Sequence, residues 1–348
     1  MANKLRVIAC GGSGINIAGN VVENVAVLGK GFCDVETTYI DTSRNNIDKI
    51  GYKGTDFWMV KTKDFAKDSI AGSGGERKTN SEDITENIKE FLNKHSFNKP
   101  ATGEYTIVIG SASGGSGSVL SPVIIKSLME RGIPVIAVVI GDTSNGLSAI
   151  NTLNTLTGLN NIASKIVKKP LSIVYLNNTA MGMANTHEAE AEANKRLFNT
   201  LGTLSMFLSG DNGDIDSQDM VNFVDQSNYK TINIKPGLYG LVTYSGEVKL
   251  PEFAVPTVGR TLTTEGIAPT IDVTLLHHKT GVCLEDNAMD IYKGQFPIHT
   301  LSYANFLSIE AEHLKKVKAE YDNIMKSIQI NDIELEDDAE VDDNGLVF

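Results

Sequence analysis

Apolar positions in the first half of the chain follow two alternating periods. The runs "KLRVIAC" (4–10), "DVETTYI" (34–40), "YTIVIG" (105–110), "PVIAVVIGD" (134–142) and "LSIVYLN" (171–177) are nearly continuous and of strand length. Between them, "INIAGNVVENVAVLG" (15–29), "SEDITENIKEFLNKH" (81–95, opening on a capping signal at Ser81), "SPVIIKSLMERG" (121–132) and the stretch from Leu147 to Ile166 carry helical spacing. Strand alternating with helix predicts an α/β fold whose parallel sheet is covered on both faces. Ligands of such sheets sit at the C-terminal ends of the strands.

The second half has a different texture. "THEAEAEANKRLFNTLGTLSMFLSG" (186–210) reads as one long helix, acidic at its start and apolar towards its end. "YKTINIKPGLYGLVTYSGEVKL" and "TIDVTLLHH" alternate like strands, and "YANFLSIEAEHLKKVKAEYDNIMKSI" predicts a final long helix. The expected organisation is an α/β domain over 1–185 with its ligand edge at the strand ends, a connecting helix over 186–212, a smaller α+β domain over 213–302, a helix over 303–330 and a tail over 331–348.

Charge changes this picture at one end only. The 348 residues carry a formal charge of −12, but eight acidic residues and no basic one lie beyond residue 330, which leaves the rest at about −4. Such a tail reads as disordered unless a partner orders it. The overall charge argues against a nucleic-acid binder, because phosphate contacts need clustered Lys and Arg. No cleavable leader and no membrane-spanning apolar run is evident, so the expected location is the cytoplasm, without membrane contact. Cys10, Cys33 and Cys283 lack ligand spacing and read as reduced and mostly buried, and the six histidines show no ligand spacing either.

Three glycine-rich loops stand at the expected ligand edge: Gly11, Gly12, Ser13 and Gly14; Ala71, Gly72, Ser73, Gly74 and Gly75; and Ser113, Gly114, Gly115, Ser116, Gly117 and Ser118. Small residues at a strand-to-helix turn let backbone N–H groups approach a phosphate, and the helix N-terminus adds positive dipole. One such turn is usually only a tight connection; three at one edge point to a cradle. A P-loop is excluded, since Arg77 stands where a glycine must precede Lys78. A dinucleotide fold finds Gly12, Gly14 and an acidic Asp41, but Ile17 where its third glycine belongs. An NAD(P)-dependent dehydrogenase is the alternative that these loops leave open.

"SGGSGSVLSP" resembles the signature loop GGGTG[ST]G of the tubulin/FtsZ superfamily, with Ser113, Ser116 and Val119 as departures. The drift is similar to that of divergent plasmid and bacteriophage tubulins rather than of cell-division FtsZ. The resemblance continues in "CGGSGIN", in "DTSRN" with Asp41, Thr42 and Ser43, in "AGSGG", and in "GDTSNG", with Asn145 at the sugar-binding position. Asn177 and Asn194 fall where the family reads guanine, and Glu190 falls where FtsZ carries an aromatic. "GDIDSQD" resembles the acidic loop NxDxxD, with Asp214, Asp216 and Asp219 in register; a plain helix cap is the other reading of these residues. The resemblance implies a GTPase that binds GTP or GDP with Mg²⁺ near Asp41. It implies head-to-tail polymerisation, hydrolysis at the subunit interface, and a tail that contacts a neighbouring subunit or a basic adaptor. The implied role is positioning of phage DNA in the host cytoplasm, with plasmid segregation as the alternative.

Overall fold

The computed structural model describes residues 3–61, 81–178, 186–210, 212–327 and 346–347. In chain order, β1 (Lys4–Cys10) runs into α1 (Gly11–Ile17), which continues through a π-helical turn at Ala18–Val22 into α2 (Glu23–Ala26). Then follow β2 (Asp34–Asp41), α3 (Asn45–Lys49), β3 (Phe57–Met59), α4 (Ser81–Lys94), β4 (Glu104–Ser111), α5 (Gly117–Glu130), β5 (Val135–Gly141), α6 (Gly146–Asn161) and β6 (Pro170–Asn177). The second half holds α7 (Thr186–Leu208), α8 (Ser217–Val224), β7 (Gly237–Ser245), β8 (Val255–Thr263), β9 (His277–Val282), α9 (Asp286–Ile291), β10 (Ile298–Ala304) and α10 (Phe306–Ser327).

These strands form one sheet in the order β3-β2-β1-β4-β5-β6-β7-β10-β8-β9. From β3 to β7 every pairing is parallel; β10 then pairs antiparallel with both β7 and β8. Alternation within the strands explains the two core layers. Val7, Ala9, Ile107, Ile109, Ile136 and Val138 pack on one face against α1 and α7. Ile8, Cys10, Val108, Ala137 and Val139 pack on the other against α4, α5 and α6. Both faces are buried, so the strands read as continuous apolar runs.

Two expectations are adjusted. "TIDVTLLHH" is not a strand as a whole: β9 begins at His277, at its end. Tyr303 and Ala304 close β10 instead of opening the last helix. The strands after α7 continue the first sheet through β6–β7. All three cysteines are buried and free. At the far end of the chain Leu346 and Val347 are buried. Among the described residues, no helix is long and apolar enough to cross a membrane.

The chain moves outward in both directions from the β1–β4 pair, so a crevice opens above the C-terminal ends of these two strands. Gly14 lies deep in that junction, where a Cβ would come within 2.6 Å of the Ile109 carbonyl oxygen; at Gly114 the nearest atom would be 3.6 Å away. Gly14→Ala is expected to destabilise the fold by about 1–3 kcal/mol, and Gly114→Ala by less than about 0.5 kcal/mol. Denaturant midpoints at unchanged slope measure both.

Candidate functional site

Two glycine loops meet at the crevice. Gly11 has φ +67°, a left-handed conformation, and a Cβ there would lie 2.7 Å from the backbone nitrogen of Gly117. A Cβ on Gly117 would in turn lie 3.1 Å from the Cys10 carbonyl oxygen. The N-termini of α1 and α5 therefore open into the same space, with their first N–H groups free of intrahelical partners.

The serines that depart from the family pattern have local work. Ser111 Oγ accepts from the N–H of Ser113 (3.2 Å) and of Gly114 (3.1 Å), which stiffens the loop entry. The hydroxyls of Ser116 and Thr42 lie 2.7 Å apart and join the Ser113–Ser118 loop to the loop that follows β2. Val119 is fully buried inside α5, where an apolar side chain packs and a glycine would add nothing. Ser118, also buried, donates to the Gly115 carbonyl at 3.0 Å.

Asp41 sits at the floor of this region, 3% exposed. Burial pushes its carboxyl up to about 6, opposed by hydrogen bonds from the Thr42 N–H, the Asn46 and Thr42 side chains and the Ser43 N–H. Its neighbours Thr42 and Ser43 are buried as well, which places one carboxyl and two hydroxyl groups together at the floor. Such a donor set suits a hard cation such as Mg²⁺. The loop Ala71–Gly75 lies outside the described residues.

Beside the cradle is a cavity of about 480 Å³ walled by Ser13, Asn16, Asn20, Lys49, Glu190 and Asn194, with Asn178 at its rim. Of the two asparagines expected at a base, Asn194 lines this cavity. Asn177 is buried, with its amide 3.4 Å from Thr143 Oγ1 in the neighbouring loop, and it is Asn178 that lines the cavity. Asn20 and Lys49 were not anticipated; Asn20 stands nine residues past the first glycine on the α1 face, a helical offset that could have flagged it. Asn145 is the N-cap of α6, accepting from the Ser148 N–H at 2.9 Å.

The acidic loop lies elsewhere. Asp216 and Asp219 form a capping box at the start of α8: the Asp219 N–H donates to Asp216 (2.8 Å), and the Asp216 N–H to Asp219 (3.1 Å). The cap reading therefore holds for Asp216 and Asp219. Lys279 of β9 donates to the Asp219 carboxylate. Burial pushes the Asp219 carboxyl up, but the Lys279 and Asp216 hydrogen bonds and the charges of Lys279 and Arg260 hold it below the ordinary value. Arg260, fully buried, donates to the Asp219 carbonyl (2.8 Å) and to the Tyr229 hydroxyl (2.7 Å). Asp219 is thus braced, while Asp214 and Asp216 are exposed. His277 and His278 line the same brace, facing Arg260 and Thr261. Among the described residues, no group of His, Cys, Asp and Glu side chains is arranged to hold a metal ion alone.

Residues 4–185 match the model of the Tubulin/FtsZ family, GTPase domain. A phage tubulin-like protein of Pseudomonas phage phiKZ is 27% identical over 226 residues, 63% of this chain and 62% of the relative, so the match spans about three fifths of that protein. Two solved structures share the fold over 99% of both chains: the protofilament of TubZ from bacteriophage PhiKZ (TM-score 0.72, 21% identity) and the GDP complex of the phage tubulin PhuZ (TM-score 0.73, 20% identity). These matches take the place of the dinucleotide-fold alternative.

Burial of Asp41 makes the nucleotide-free fold sensitive to pH. Its folded pKa of about 6 lies above the ordinary 3.8, so its contribution to stability is fully present below about pH 4 and is lost as pH rises through 6. Relative to Asp41→Asn, the wild-type protein is expected to lose about 3 kcal/mol between pH 4 and pH 7.5. Denaturant unfolding of both proteins across that window checks it.

Proposed function

Because this chain belongs to the tubulin/FtsZ family, matching its GTPase domain over residues 4–185, we propose that it binds GTP above β1 and β4 and hydrolyses it between head-to-tail copies of itself. One observation carries this reading. Tyr105, at the start of β4, donates to the Ser217 carbonyl at 3.2 Å, so the acidic loop lies at the sheet edge opposite the glycine cradle. From Tyr105 to Ser111 the strand spans about 20 Å, and from Asn194 to Leu208 helix α7 spans about 21 Å. One copy cannot bring its own aspartates to its own phosphates. A second copy stacked along the same axis can, and such a heterologous contact propagates into a filament.

The division of labour follows from chemistry. Backbone N–H groups of Gly11–Gly14 and Ser113–Ser118 hold the phosphates, and the helix N-termini of α1 and α5 offset their charge. Mg²⁺, when bound near Asp41, Thr42 and Ser43, neutralises phosphate oxygens. In the base cavity Asn194 offers a donor and an acceptor, and the Glu190 carboxylate can accept from the two donors of a guanine edge. Asp214 and Asp216 of the next copy orient and polarise the attacking water, and Asp219 holds their loop in place through Lys279 and Arg260.

The cellular role this supports is positioning of phage DNA in a bacterial host, in line with relatives that are phage tubulins. Segregation of a plasmid-like element through an adaptor is the second reading. The acidic tail is its natural docking segment, since eight carboxylates attract a basic partner.

Light scattering is expected to rise with GTP and not with NAD; NAD binding with no response to GTP overturns the reading. Asp216→Asn keeps the helix cap, because Asn serves there as well as Asp, and removes only the charge. Its filaments are expected to persist while phosphate release slows by at least about 10²-fold. Wild-type turnover in that variant removes the acidic loop from the reaction.

A further inference from the structure

The loop Gly141–Gly146 ("GDTSNG") is bracketed by two glycines, and an aromatic ring covers each. A Cβ on Gly141 would lie 2.3 Å from the Tyr175 hydroxyl oxygen, and a Cβ on Gly146 would lie 2.0 Å from Cγ of Tyr321. Neither glycine has a positive φ, so the backbone conformation does not demand it. What demands glycine is the space the rings occupy.

Both rings lead to the C-terminal helix. Tyr321 belongs to α10, and Tyr175 packs edge-on against Phe306, the first residue of α10, with ring centroids 5.7 Å apart at 70°. Helix α10 lies along α6, whose first residue is Gly146. Helix α6 in turn reaches both nucleotide loops. Thr152 Oγ1 accepts from the Asp142 N–H and donates to the Asp142 carbonyl, each at 3.2 Å. Asn151 donates to the Ser113 carbonyl at 3.1 Å, and Thr155 to the Ala112 carbonyl at 2.8 Å. The seat of one aromatic side chain on Gly146 thus fixes the start of the helix that ties the sugar loop to the phosphate loop.

We infer that Tyr321 is a positioning residue for the nucleotide's sugar: by packing on Gly146 it holds Gly141–Gly146 in the geometry that meets the ribose. The inference rests on the guanine-nucleotide reading above, with Gly141–Gly146 taken as its sugar loop because Ile140 lines the base cavity and Thr143 meets Asn177, and adds to it a link from the C-terminal helix to the site. The ring touches no nucleotide; it acts through α6. A helix packed only for stability would lower affinity for every nucleotide alike, whereas a positioning role depends on the ribose hydroxyls that the loop meets.

The test is calorimetric titration of the full, unassembled chain with GDP and with 2′,3′-dideoxy-GDP. Tyr321→Ala is expected to weaken GDP binding about tenfold and dideoxy-GDP binding less than about twofold. Gly146→Ala is expected to give the same selective loss, because its methyl group displaces the ring. Adding Tyr321→Ala to Gly146→Ala then costs nothing further, since the methyl group enters the vacated space. Should Tyr321→Ala fail to fold by circular dichroism, Tyr321→Leu and Gly146→Ala carry the same comparison. GDP affinity equal to wild type, or equal losses for both nucleotides, overturns the inference. Failure of the wild-type chain to bind GDP overturns instead the guanine-nucleotide reading on which it stands.

Discussion

The whole nucleotide edge depends on one contact: main chain against main chain, with no side chain between them, where Gly11 meets Gly117 above the β1–β4 pair. Two strand-to-helix turns can approach this closely only if both lack a Cβ. The approach aims the first turns of α1 and α5 at a common point. A residue larger than glycine at Gly11 would be strained by its φ of +67° and would also collide with the opposite backbone. The outward progression of strands from this pair sets the rest of the sheet, so the cradle and the fold are one construction.

At the far edge the solution is different: a buried cation holds the backbone of the acidic loop and an ion pair holds one of its carboxylates. Arg260 has no solvent contact, and its guanidinium is shared between two carbonyls, a phenol and a histidine. Burying a guanidinium is costly unless its donors are satisfied; both Nη groups have acceptors, while Nε–H has none among the described residues. Here the donors fix the backbone of Asp219, while Lys279 fixes its side chain. The strands after α7 therefore serve as a frame that presents Asp214 and Asp216 outward. The two edges have opposite characters, neutral backbone donors at one and carboxylates at the other, which is the complementarity the proposed stacking of copies requires.

Much of this was legible in the sequence because β1, β4, β5 and β6 are buried on both faces and leave unbroken apolar runs. The glycine loops were legible for a related reason: only small residues tolerate such close approach. Legibility failed where the deciding contact is remote or where one residue's offset matters. "TIDVTLLHH" alternates, yet the paired strand is "HHKTGV", whose polar side chains are half-buried by Arg260 and Thr261 from elsewhere in the chain. Asn177 and Asn178 differ by one position on a strand end, and that single step decides which of them lines the cavity. Lys279 and Tyr321 carry no local signature, since each is defined by a partner 60 or more residues away.

The union of the two halves into a single sheet has a mechanical meaning. Strands β6 and β7 share a register of four residue pairs, from Pro170–Gly237 to Ile173–Gly240, whereas β1 shares seven with each of its neighbours. In the proposed filament, load between the two ends of the molecule crosses the sheet at that short ladder, alongside α7 and the Tyr105–Ser217 contact. The ladder is the narrowest link in the hydrogen-bonded path between the halves.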